Sequence, residues 1–234
     1  MYTYLTRTVA TGLLFTMFGI AAAHVDARAG SSVPESTRVV ERPKVLPEAE
    51  ERALALEALP PSMRADAGVW VLTSAGSRER KRTRNGYTCI VNRDEVLAIK
   101  PTCFDEEGTA SILPVNAYFS DRMMQGVAVS TILREIDDRF ARGVFRSPRR
   151  AGIAFMLSPR IVNVLDPVKR TLGTAPPHYM IYAPNVTNEH LRIPPEAYRI
   201  HPWLPYVAYT GPQGYLIISI PDSAVAATRH VHGR

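Results

Sequence analysis

Of the 234 residues in this chain, His178 carries the side chain best suited to acid, base or ligand work near neutral pH. It follows Pro176-Pro177, where the backbone is held extended. It also opens the apolar run His178–Tyr182 (HYMIY). Tyr182 and Asn185 are the neighbours that would orient a substrate beside it; the competing reading is a strand-end histidine bonded to backbone. Glu189, His190, Glu196 and His201 are metal-ligating types. No H-E-x-x-H and no cysteine cluster organises them, so neither a metal nor another cofactor is expected. Serine-nucleophile motifs G-x-S-x-G and S-x-x-K are missing. Asp105, Glu106 and Glu107 lack the D-x-D-x-D-G order of a calcium loop and read as a solvated acidic turn.

A second chemistry is ionic. Arg78, Arg80, Arg82 and Arg84 alternate, and on a strand they would form a row of four positive charges on one face. Guanidinium forks suit phosphate and sulfate. The row is therefore a candidate anion face, and an anionic envelope component is the partner it would suit. No aromatic residues are interleaved with these arginines, so specific nucleic-acid recognition is not expected.

The elements that must position these residues follow from periodicity. Acids after Pro47 open a helix that ends at Pro60-Pro61. Residues 68–73 and 86–91 read as strands, with 78–84 between them as the middle strand of a meander. Its polarity on both sides argues for an edge or a mobile hairpin rather than a core position. Two helices follow at 114–125 and 129–142. The second carries Val129, Ile132, Leu133, Ile136 and Phe140 at three- and four-residue spacing. Residues 153–157 and 178–182 are short apolar strands, and 206–209 with 215–220 flank a Gly-Pro-containing turn. The expected class is α+β: an antiparallel sheet, built from an N-terminal three-stranded meander plus a C-terminal hairpin, with helices packed on one side.

Arg7 precedes an apolar run over residues 9–23, and Ala27-Arg28-Ala29 supplies small residues, the pattern of a secretory signal peptide over residues 1–29. Cleavage is expected after Ala29 or Ala23, giving a periplasmic or extracellular protein without a transmembrane span in its mature form. Removing the leader takes the formal charge from +6 to +5, too little to name a partner. Residues 30–47 form an arm with no apolar periodicity, residues 48–221 a single domain, and residues 222–234 a polar tail. In an oxidising compartment Cys89 and Cys103 most simply form one disulfide.

Four ordered segments stand out together: Asn85-Gly86-Tyr87-Thr88-Cys89, Cys103-Phe104-Asp105-Glu106-Glu107-Gly108, Phe155-Met156-Leu157-Ser158, and Pro177-His178-Tyr179-Met180-Ile181-Tyr182-Ala183-Pro184. They resemble an uncharacterised family of exported bacterial proteins with an N-G-[FY]-T-C segment, a second cysteine and a P-H-x-M-x-Y-A-P segment. The resemblance covers about residues 48–220 and implies an exported, disulfide-containing domain without naming a reaction. The function expected is that of a non-catalytic binding or envelope-associated domain, with anionic ligands suiting the arginine row. The alternatives are an enzyme using His178 as acid or base, and an assembly subunit that pairs through an edge strand.

Overall fold

The computed structural model describes residues 41–220, apart from Pro195 and Pro202. The expected leader (1–29), most of the arm (30–47) and the tail (222–234) lie outside the described residues. Helix α1 (Glu48–Leu56) begins after Pro47 with three acids in its first turn, where they meet the positive end of the helix dipole. Strands β1 (Gly68–Thr73), β2 (Gly76–Lys81), β3 (Thr88–Asn92) and β4 (Lys100–Phe104) follow. Next come α2 (Glu106–Ser111), α3 (Leu113–Met124) and α4 (Val129–Ala141). The remainder is β5 (Ile153–Met156), β6 (Val162–Asp166), β7 (Thr171–Thr174), β8 (His178–Tyr182), the short helices α5 (Asn188–Leu191) and α6 (Ala197–Ile200), β9 (Tyr206–Tyr209) and β10 (Tyr215–Ser219).

Eight strands form one sheet in the order β2-β1-β3-β4-β5-β8-β10-β9, and β6 with β7 makes a separate two-stranded ribbon. The class is α+β as expected, but the N-terminal meander is not. β1 lies between β2 and β3, antiparallel to the first and parallel to the second. The polar β2 is thus pushed to the edge, because an inner position would bury Arg78, Glu79 and Arg80 on both faces. The C-terminal hairpin, β9–β10, is present as a continuation of the same sheet.

Helices on one side is the second correction. β3 buries four consecutive residues, Thr88 to Val91, so both of its faces need cover. Cys89, Val91, Val69, Val71 and Cys103 pack under Leu54, Ala55, Ala58 and Leu59 of α1 and the turn that follows it. Ile90, Phe104, Ala154, Met156 and Met180 point the other way, toward Ile112, Leu113 and Ala117 at the start of α3. Small Ala55 lets α1 approach closely enough for the Cys103 sulfur to lie 3.5 Å from its carbonyl oxygen.

Both outer edges are blunted. Lys81 faces Val69 and Glu79 faces Trp70, which leaves Arg80 as an extra, bulged residue in β2. At the far edge, the Val207 N–H donates to Asn188 Oδ1 (2.8 Å), and Asn188 Nδ2 donates to the Val207 carbonyl (3.1 Å). That amide occupies the positions where another strand would pair. The bulge and the Asn188 amide both oppose pairing with another strand at those positions.

Candidate functional site

β8 positions the proposed histidine pocket, and its alternation takes that pocket apart. His178, Met180 and Tyr182 share the buried face, but four residues of strand separate the first from the last by about 13 Å. His178 is 4% exposed, with Nδ1 2.8 Å from the Pro176 carbonyl oxygen. Tyr182 donates its hydroxyl to Asp105 Oδ1 (3.0 Å) and to the Ile153 carbonyl (2.9 Å). Asn185 lies beyond the strand, exposed and at φ +60°. The three side chains do not converge on a common point, and the imidazole is turned into backbone rather than into a cleft.

Burial lowers the His178 pKa from its ordinary 6.5; the Pro176 carbonyl opposes this and the Lys100 charge adds to it. The unfolded chain therefore takes up a proton below about pH 6.5 that the folded chain refuses, so stability rises with pH across this window and is lost as pH falls. The stability slope between about pH 5 and 6.5 is expected to shrink in His178→Asn, by at most about 1.4 kcal/mol per pH unit. Urea unfolding at a series of pH values measures this. Equal slopes in both proteins would mean that His178 titrates as freely folded as unfolded.

The arginine row does not persist as a row. β2 ends at Lys81, and the bulge at Arg80 breaks the alternation. Arg78 donates to the Ser77 and Ala75 carbonyls (2.8 Å each). Arg80 pairs with Glu48 at 3.2 Å and Arg84 with Asp66 at 2.5 Å. Arg82 is exposed beyond the strand. Two of the four guanidinium groups thus neutralise the chain's own carboxylates.

Of the acidic turn expected to be solvated, only Glu106 is exposed. Asp105 caps α2 by accepting from the Gly108 N–H (2.9 Å), and its other oxygen accepts from the Ile153 N–H (3.0 Å). Glu107 is buried and accepts from Arg146 Nη1 (3.0 Å) and the Arg149 N–H (2.9 Å). A Cβ at Gly108 would strike the Tyr182 hydroxyl, and one at Gly152 would strike Asp105 and the Tyr182 ring. The C-F-D-E-E-G and Y-A-P segments thus meet in one hydrogen-bonded knot. His190 is likewise structural, its Nδ1 accepting from the Thr187 N–H (3.0 Å) in the capping box of α5. Among the described residues no three His, Cys, Asp or Glu side chains gather as a metal site.

The concave feature is elsewhere. α4 packs against α3 through Ile132 and Ile136, and a cavity of about 330 Å³ opens between these helices and the sheet. This falls within the usual range for small-molecule sites. Phe104, Met156, Met180 and Tyr215, from four adjacent strands, form its floor. Val115 and Phe119 of α3, with Val129, Leu133 and Ile136 of α4, form its roof. Leu133, 45% exposed, is an α4 leucine not sealed into the core. The mouth carries Asp94, Glu95 and Lys100 of the β3–β4 hairpin and Tyr209 and Gln213 of the β9–β10 hairpin. Lys100 Nζ is ion-paired with Asp94. The Tyr215 phenol is held well above its ordinary pKa, by burial first and then by the Asp94 carboxylate.

A more open hollow bounded by Tyr118, Arg122, Glu135 and Arg139 is crossed by its own bonds. Glu135 accepts from Arg122 and from the Tyr118 hydroxyl, which hold its carboxyl down at about 2, and Arg139 stacks 4.2 Å above the Tyr118 ring.

Sequence reasoning passed over Asp94, Glu95 and Tyr215. Their one local signal is an acid pair between two cysteine-bearing segments. Fold and site together define an α+β domain with a mixed apolar and acidic cavity on one face of an eight-stranded sheet. No family model, no curated protein and no solved structure matches the chain.

Proposed function

We propose that this chain is an exported, non-catalytic binding domain whose ligand, a small molecule with an apolar body, lies between the α3–α4 pair and the sheet. The cavity carries this reading. It has apolar walls, a polar mouth and a volume suited to a small ligand. The signal-peptide pattern supports export, as does the Cys89–Cys103 disulfide, a bond characteristic of oxidising compartments. Among the described residues no helix is long and apolar enough to cross a membrane. Kinship with the exported bacterial family of the four motifs is part of the same proposal. Within this chain the second and fourth motifs meet through Asp105 and Tyr182. The enzyme alternative weakens with His178 buried against backbone. The anion-face version weakens with Arg80 and Arg84 already neutralised.

The test is titration of the intact protein with the neutral fluorophore N-phenylnaphthylamine, compared with a Leu133→Trp variant that fills the cavity from its accessible wall. Saturable binding at one site, weakened about tenfold by the substitution, is the expected result. Binding that ignores the substitution would place the probe elsewhere and remove the cavity as the ligand site.

A further inference from the structure

We propose that the cavity takes an organic monocation, with an ammonium or guanidinium head at the mouth and an alkyl or aryl body within. This rests on the reading that the cavity is the ligand site, and it names the ligand's charge. Two carboxylates, Asp94 and Glu95, stand at the mouth against one ammonium, Lys100. Asp94 already neutralises Lys100. Arg93, two positions earlier in the chain, is no help to Glu95, because it is buried on Glu51 at 2.7 Å. Among the described residues the Glu95 carboxylate has neither an ion pair nor a hydrogen bond, although it is half-buried.

Burial first, then the Asp94 charge, holds the Glu95 carboxyl above its usual range, with Lys100 opposing. A carboxylate that has lost water without gaining a partner favours the arrival of a cation. The Tyr209 and Tyr215 rings line the same cavity, and the face of an aromatic ring attracts a cation once water is excluded. A metal ion would be poorly served, because among the described residues no three His, Cys, Asp or Glu side chains gather there, and the polar groups that line the cavity besides the acids and Lys100 are neutral amides and hydroxyls. An organic head with an apolar body uses both parts of the site. An anion would face the net negative charge of the mouth.

Three ligands with one ring system and different head charges decide the matter: naphthylmethylammonium, naphthylmethanol and naphthoate, titrated into the intact protein at neutral pH and followed by naphthalene fluorescence. The ammonium is expected to bind about tenfold more tightly than the alcohol, and naphthoate more weakly than either. In Glu95→Gln the ammonium-to-alcohol affinity ratio should collapse toward one. In Asp94→Asn/Glu95→Gln, which leaves Lys100 as the sole charge of the three, naphthoate should become the preferred ligand. Melting curves of both variants check that the fold is kept. If the alcohol binds and head charge makes no difference, the monocation proposal falls while the cavity reading stands. A preference for naphthoate in the unaltered protein overturns it equally. If none of the three binds, the cavity reading falls and takes this inference with it.

Discussion

Glu51→Gln is expected to lower the unfolding free energy by about 3–5 kcal/mol. Glu51 and Arg93 are 0% and 3% exposed at their side chains, and they meet in a two-pronged pair with both N–O distances 2.7 Å. Arg93 Nη1 also donates to the Val91 carbonyl (3.0 Å), so the guanidinium is held at the end of β3 while Glu51 holds α1 over it. Glutamine keeps the shape of the side chain but leaves Arg93 charged and without a counter-ion in the core. That uncompensated charge is what makes breaking the pair so costly. The double replacement Glu51→Met/Arg93→Met removes both charges and should cost clearly less than Glu51→Gln alone. Urea unfolding of the three proteins at neutral pH measures both numbers. A loss under about 1 kcal/mol in Glu51→Gln would mean that water reaches Arg93, and that α1 is not pinned to the sheet by this pair.

Removing the disulfide is the second large effect. Cys89 and Cys103 face each other directly across β3 and β4, with 14 residues of sequence separation. A covalent closure of a loop this size is worth about 3 kcal/mol through the freedom it removes from the unfolded chain. The double variant Cys89→Ala/Cys103→Ala should therefore melt about 6–12 °C lower, given the size of the domain. Because both cysteines are 0% exposed, reductant added to the folded protein should leave the bond intact until denaturant opens the structure. Intact mass after alkylation reads this out. Two added alkyl groups under native conditions with reductant would show that the α1 cover over the bond opens readily. An unchanged melting temperature in the double variant would show that the β3–β4 hairpin is held by its packing alone.

Much of the secondary structure is written locally. The α4 stripe, the HYMIY alternation of β8 and the turn between β9 and β10 each depend on residues within a few positions of one another, and each element forms where its pattern lies. The local signals failed where the sheet overrides them. Pro101, the second residue of β4, is of a type that argues against a strand. Yet β5 pairs only with Cys103 and Phe104, so β4 has no β5 partner at Pro101 and the missing N–H breaks no bond there. The arginine alternation predicted a charged face, but a single bulge and two carboxylates from elsewhere in the chain dispersed it.

The candidate site was less legible than the fold. His178 drew attention because imidazole is versatile, and burial is the property that sequence spacing reports least. Asp105 and Tyr182 are 77 positions apart, and Glu51 and Arg93 are 42 apart. The cavity draws on strands and helices from Asn92 to Tyr215. By itself the sequence determined the class of fold, the cysteine pairing and the identity of most elements, because periodicity, turn chemistry and a two-cysteine count are local or nearly self-contained. Only the tertiary structure decided that helices cover both faces, that β1 rather than the polar β2 lies next to β3, and that Glu95 is left half-buried beside a cavity. Those outcomes depend on which distant side chains share a small volume, and strand order sets that, not any pattern along the chain.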